Sequence, residues 1–143
     1  MTSLWYWLSK KSLSVISIIS SFVFVTTASS QPNYYLLHVE KVNGNAVLSL
    51  RTFDFLPCFG YSIRVSQQWN GDTAVVSISG FVKPNPCMGG AAPAETHVLV
   101  EREGKNNFYL KILDDGASDL WHITFPKDAF NGVPVKNSFT TYQ

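Results

Sequence analysis

Cys58-Phe59-Gly60-Tyr61-Ser62-Ile63-Arg64-Val65-Ser66, the turn Asn70-Gly71-Asp72, and Thr73-Ala74-Val75-Val76-Ser77-Ile78-Ser79 leading on to Cys87 decide how this chain reads. Tyr61, Ile63 and Val65 alternate with polar residues in the first segment, and Ala74, Val76 and Ile78 share one face of the second. Successive side chains of a strand point to opposite faces, so each segment offers one apolar face to a core. Asn70-Gly71-Asp72 supplies turn chemistry, because Asn and Gly take positive φ at little cost. The two segments form a hairpin. Its outer ends carry the chain's two cysteines, each in a loop that contains proline. A Cys58–Cys87 disulfide would close it.

The same alternation extends outward in both directions. Tyr35, Leu37 and Val39 mark a first strand, Asn43-Gly44-Asn45 a turn, and Ala46, Leu48 and Leu50 a second strand ending near Phe53. Asp54 to Gly60 is a loop, and Phe81 and Val82 extend the second arm of the hairpin. Lys83 to Glu95 holds three prolines, Gly89-Gly90 and several alanines without any period, which reads as a loop. Val98 and Val100, then Phe108, Leu110 and Ile112, then Trp121, Ile123 and Phe125 mark further strands. Glu103 to Asn107 and Asp114 to Asp119 are the turns between them. Val133-Pro134-Val135 is a final edge strand, where proline is tolerated. No stretch has a helical period.

Seven or eight short strands with turn residues between them predict an all-β fold, an antiparallel β-sandwich of immunoglobulin-like architecture. No Trp occupies the usual core position between the cysteines, since Trp69 sits at the hairpin turn. The likeness is therefore one of architecture and carries no function.

Composition agrees with one small β domain over residues 31–143: 143 residues in all, 14% aromatic and only 15% charged. The formal net charge is +1. Without Lys10 and Lys11, nine basic residues face ten acidic ones. No basic stripe remains to neutralise phosphates, which excludes nucleic acid as the expected partner.

Residues 1–30 read as a signal peptide. Lys10 and Lys11 precede the apolar run Leu13 to Val25, and Ala28 and Ser30 place small residues before a cleavage at Gln31. The alternative is a membrane anchor, for which the run is short and diluted by Ser14, Ser17, Ser20 and Ser21. Lys11-Ser12-Leu13-Ser14-Val15-Ile16 resembles the cleavage region of archaeal type IV pilins over that short stretch alone. The resemblance implies a long assembly helix, which Pro32 would interrupt. Export predicts a secreted, periplasmic or cell-surface protein, where a disulfide persists.

Motifs for chemistry are sparse. Cys87-Met88 offers soft copper ligands, but the nearest imidazole, His97, lies across a loop. His38, His97 and His122 each alternate with apolar strand residues and read as polar sheet positions unless their strands converge on zinc. Asp114, Asp115 and Asp119 read as a solvated turn, since the ligand alternation of a calcium loop is missing. No nucleophile elbow, phosphate loop or zinc-protease helix occurs. No cofactor, metal or catalytic residue is therefore expected. A small exported enzyme or metalloprotein using the strand histidines is the alternative.

Binding is the leading expectation: an exported binding or assembly module whose partner is a protein or an extracellular ligand. Its candidate loop is Lys83, Pro84, Asn85, Pro86, Met88, Gly89 and Gly90, restrained by prolines and a disulfide so that less entropy is lost on docking. Phe130, Val133, Val135, Phe139 and Tyr142 make the C-terminal segment too apolar to idle. It adds a strand to its own domain or, by self-association, to a neighbour's sheet edge. Membrane contact is expected only through residues 1–30 if they are retained.

Overall fold

The structure, a computed structural model, describes residues 33–101, 105–126 and 130–143. Residues 1–30, expected to be a signal peptide, lie outside the described residues, and so does part of the turn expected at Glu103 to Asn107.

The described elements are nine strands: β1 (Tyr35–Val42), β2 (Asn45–Leu56), β3 (Ser62–Asn70), β4 (Thr73–Val82), β5 (Ala92–Val100), β6 (Asn107–Asp114), β7 (Ala117–Thr124), β8 (Asn131–Lys136) and β9 (Thr140–Tyr142). Turn chemistry explains the hairpins. Asn43 and Asp115 take φ of 50° and 44°, each followed by a glycine that is also left-handed, so β1–β2 and β6–β7 reverse in two residues. Alternation explains the core. Leu37, Leu48, Leu50, Val76, Leu110, Ile112 and Ile123 all point inward and are fully buried or nearly so.

All nine strands belong to one sheet, in the order β8-β7-β6-β4-β3-β5-β2-β1-β9. The immunoglobulin-like antiparallel sandwich expected from the strand spacing is replaced by a mixed sheet that nearly closes into a barrel. β4 and β6 run parallel from Thr73↔Tyr109 to Ile78↔Asp114, and β1 and β9 run parallel from Tyr35↔Thr140. β3 and β5 are also parallel but share only the pair Ser62↔Glu95, where the sheet narrows. The physical reason is simple. Alternation reports which face of a strand is buried, not which neighbour completes its ladder.

Two further differences lie between β2 and β5. The expected loop Lys83 to Glu95 becomes strand from Ala92, because β2 runs past Phe53 to Leu56 and pairs Phe55 with Pro93 and Leu56 with Ala92. The register shifts between Arg51 and Phe55. Thr52 turns inward there. Its hydroxyl accepts from the Ala94 N–H at 2.9 Å and donates to the Asp54 carbonyl at 2.8 Å. This bulge leaves Phe53, Asp54 and Phe55, three residues in a row, exposed.

β8 and β9 are neighbours in sequence but form opposite borders of the sheet. The short link at residues 137–139 joins those borders, and one side chain fixes it. The fully buried Asp119 carboxylate accepts the Ser138 N–H (2.7 Å) and Oγ–H (2.8 Å) on Oδ1. Its Oδ2 accepts the N–H groups of Phe139 (3.0 Å) and Thr140 (2.7 Å) and the Thr140 hydroxyl (2.6 Å). The Trp121 indole N–H donates to that hydroxyl oxygen at 2.9 Å. Phe130 stacks on Tyr142 across the seam, ring centroids 4.9 Å apart. Burial pushes the Asp119 carboxyl upward, but the hydrogen bonds from Thr140, Phe139 and Ser138 outweigh it and hold the group below its ordinary value.

The acidic turn is thus corrected. Only Asp115 is solvated; Asp114 is buried and accepts the Tyr35 hydroxyl at 3.0 Å. Burial, then the charge of Asp114, raises the Tyr35 phenol above its usual range. The C-terminal segment pairs with its own domain, β8 on β7 and β9 on β1. Asn131-Gly132, which has turn chemistry, opens β8 instead, pairing with Thr124 and Ile123.

Candidate functional site

Strand directions gather the irregular segments at one end. β1 and β9 begin there, β2 and β4 end there, and β3 and β5 begin there. The two cysteine loops therefore meet, and Cys58 and Cys87 form the predicted disulfide with Cα atoms 5.6 Å apart. Beyond it Phe59 pairs with Met88, its N–H donating to the Met88 carbonyl at 3.4 Å. Gly90 has φ +126°, and the Phe59 ring fills the space that a Cβ there would occupy. Only glycine serves both demands.

The candidate loop follows this scaffold. Lys83, Asn85, Pro86, Met88, Gly89 and Gly90 are exposed, Pro84 is half-buried beside Gly60, and the Asn85–Pro86 peptide is cis. The structure therefore restrains the loop against the 57–61 segment.

The same end carries an apolar surface that the alternation rule undervalues. Among the described residues, Tyr34, Phe53, Phe55, Phe59, Val82 and Met88 are all exposed here, with Phe53 and Phe55 each at 66% and Met88 at 68%. Phe53 stands between two hollows. One, of about 430 Å³, is lined by Leu36, Arg51, Thr52, Phe53, Asp54, Phe55 and Pro93. The other, of about 280 Å³, is lined by Tyr34, Tyr35, Leu36, Phe53 and Thr141. A signal was present in the sequence: Phe53 and Phe55 continue the outward parity of Ser49 and Arg51, so two aromatic rings stand on the polar side of β2.

The histidines do not converge. His38 stacks on Tyr142 with centroids 6.1 Å apart, and His122 lies 5.0 Å from Tyr109. β7, which carries His122, is separated from β1 and β5 by several strands. Among the described residues no three His, Cys, Asp or Glu groups gather as a metal site. His97 sits in a short polar chain, its Nδ1 at 2.7 Å from Ser49 Oγ and its Nε2 at 3.1 Å from Glu95 Oε1. That trio lies on an exposed face, with β2 paired on both sides. A serine nucleophile also needs donors aimed at the developing oxyanion, and the ladder holds the nearby backbone.

The opposite end is polar by contrast. Lys105 pairs with Asp72 at 3.1 Å, lies 5.1 Å over the Trp69 ring, and borders a hollow shared with Asn107, Tyr109 and His122.

A disulfide is compatible with an extracellular location. Among the described residues no helix is long and apolar enough to cross a membrane. Set against protein families, curated proteins and solved structures, the chain matches none.

Proposed function

We propose that this chain is an exported binding module whose working surface is the disulfide-tied end of the sheet. One observation carries the reading: Phe53, Asp54 and Phe55 stand exposed in a row at a bulge, beside a stapled loop on which Phe59 and Met88 are also exposed. Exposed apolar clusters of this kind mark interaction sites, and a rigid scaffold lowers the entropy lost on contact. The small-residue cleavage pattern at Ala28 and Ser30 supports export.

Hydroxyl-radical footprinting tests it, comparing the protein in its native setting with the purified protein. Protection at Phe53, Phe55, Phe59 and Met88, with Tyr109 unchanged, is the expected result. Equal reactivity in both states would overturn the binding role.

The Ser49–His97–Glu95 chain favours a second reading, a small exported hydrolase. It predicts covalent labelling of Ser49 by a fluorophosphonate, lost in His97→Ala; an unlabelled Ser49 removes it.

A further inference from the structure

We infer that the surface this end contacts is a lipid bilayer, with Phe53, Phe55 and Phe59 reaching the boundary between headgroups and acyl chains. This rests on the binding reading above and names its partner.

Shape is the first argument. Phe53, Phe55, Phe59 and Met88 are each more than half exposed, and they come from three separate segments, β2 and the loops at 57–61 and 83–90. A rigid protein partner would have to match all three at once. A fluid interface closes around all of them, and aromatic rings on one side of a rigid body suit that boundary.

Chain continuity is the second. Tyr34, at this same end, follows the apolar run Leu13 to Val25 by only the residues from Thr26 to Asn33. Even fully extended, the nine steps from Val25 to Tyr34 span no more than roughly 32 Å. Where the run is retained in a membrane, this end is held within that distance of the bilayer surface.

Charge is the third. Arg51 and Lys83 flank the rings, while Asp54 and Glu95 offset them. No strong field of either sign results, so the contact depends on apolar burial and should tolerate salt. The long stems of Arg51 and Lys83 let their charged heads stay in water while the rings enter.

The experiment uses the purified native protein, its N-terminus assigned by intact mass, with phosphatidylcholine vesicles carrying spin-labelled lipid. Ring resonances of Phe53, Phe55 and Phe59 should broaden while those of Tyr109 and His122 do not. In protein beginning at Gln31, Phe53→Ser/Phe55→Ser should weaken vesicle partition at least about tenfold. High salt should change it little, and Val133→Ser, on exposed β8, should leave it unchanged. Near-ultraviolet circular dichroism confirms that the variants fold. Broadening at neither end or equally at both overturns the inference, and so does partition unaffected by the double substitution. Native footprint protection without vesicle broadening would keep the binding reading and assign a protein partner instead. Broadening without a native footprint would mean a vesicle affinity the native setting does not use, and would overturn both the binding reading and the inference.

Discussion

Two fastenings hold this sheet, and they differ in kind. Cys58–Cys87 is covalent, lies at an exposed end, and joins loops whose flanking strands, β3 and β4, are already paired. Asp119 is one buried carboxylate that holds together two borders no ladder joins. The disulfide shapes a surface; the carboxylate decides whether the sheet closes. A fastening's chemical strength therefore says little about its architectural weight.

The sharpest way to break the comparison is Asp119→Ala. It strips the acceptor from five donors, three of them backbone N–H groups. A loss of about 4 kcal/mol or more is expected, because each buried donor left unpaired costs about 1–3 kcal/mol. Urea denaturation measures the loss. Hydrogen exchange should quicken in β9 and β1 and stay slow in the β3–β4 hairpin. Equal quickening in both would mean the carboxylate is not a local clasp.

Cys58→Ser/Cys87→Ser comes next. Releasing a closed loop with a sequence separation of 29 should cost about 3.5 kcal/mol from unfolded-chain entropy. Thermal melts should show the loss, with exchange rising around Phe59 and Met88 and β9 still protected. If this pair costs more than Asp119→Ala, the ranking of the two fastenings is wrong.

Acidity separates them further, since only the carboxylate titrates. Its folded value is lowered, so its contribution is present above the unfolded aspartate value of about 3.9 and is lost as pH falls through the folded one. Tyr35 runs the other way. Its folded value is raised, so its share is complete below the unfolded tyrosine value of about 10 and fades as pH climbs toward the folded one. Urea midpoints across pH should fall on both flanks. Asp119→Asn should flatten the acid flank and Tyr35→Phe the alkaline one; an unchanged acid flank in Asp119→Asn would remove the carboxylate from the account.

The smallest effect belongs to the staple's side. Gly90→Ala places a Cβ against the Phe59 ring at a φ of +126°, costing about 1–2 kcal/mol. Its melt should shift slightly, while Phe59 reactivity rises. A change in β9 protection would couple two regions described as independent.

Much of this fold was legible because its cause is local. Asn43-Gly44, Asn70-Gly71 and Asp115-Gly116 place turns by backbone preference, and Leu37, Leu48, Leu110 and Ile123 fall inward by parity. Cysteines at the ends of one hairpin announce their bridge. What remained hidden depends on partners distant in sequence. Nothing near Thr73 indicates that Tyr109 lies parallel beside it. Thr52 shares the inward parity of Leu48 and Leu50, but nothing near it indicates that its hydroxyl will bond Ala94. Asp119 shares the parity of Trp121 and Ile123, so its inward position was readable, but its neighbours in a run of acids disguised it as turn. For the binding surface, loop 83–90 was visible from its prolines and glycines. The Phe53–Phe55 pair was readable from its outward parity, but the bulge that exposes Asp54 between them was not.

The seam has a consequence for how the molecule is made. β1 is the first strand of the sheet, yet its partner β9 is the last, and Asp119 waits for Ser138 to Thr140 before its carboxylate is satisfied. A ribosome delivering this chain would release β1 to β7 with an open border, a buried-type aspartate still hydrated, and the Tyr35 N–H without the Phe139 carbonyl it donates to. Such a domain stays loose until residues 137–142 emerge, so its last residues, and not its first strands, decide when the sheet sets.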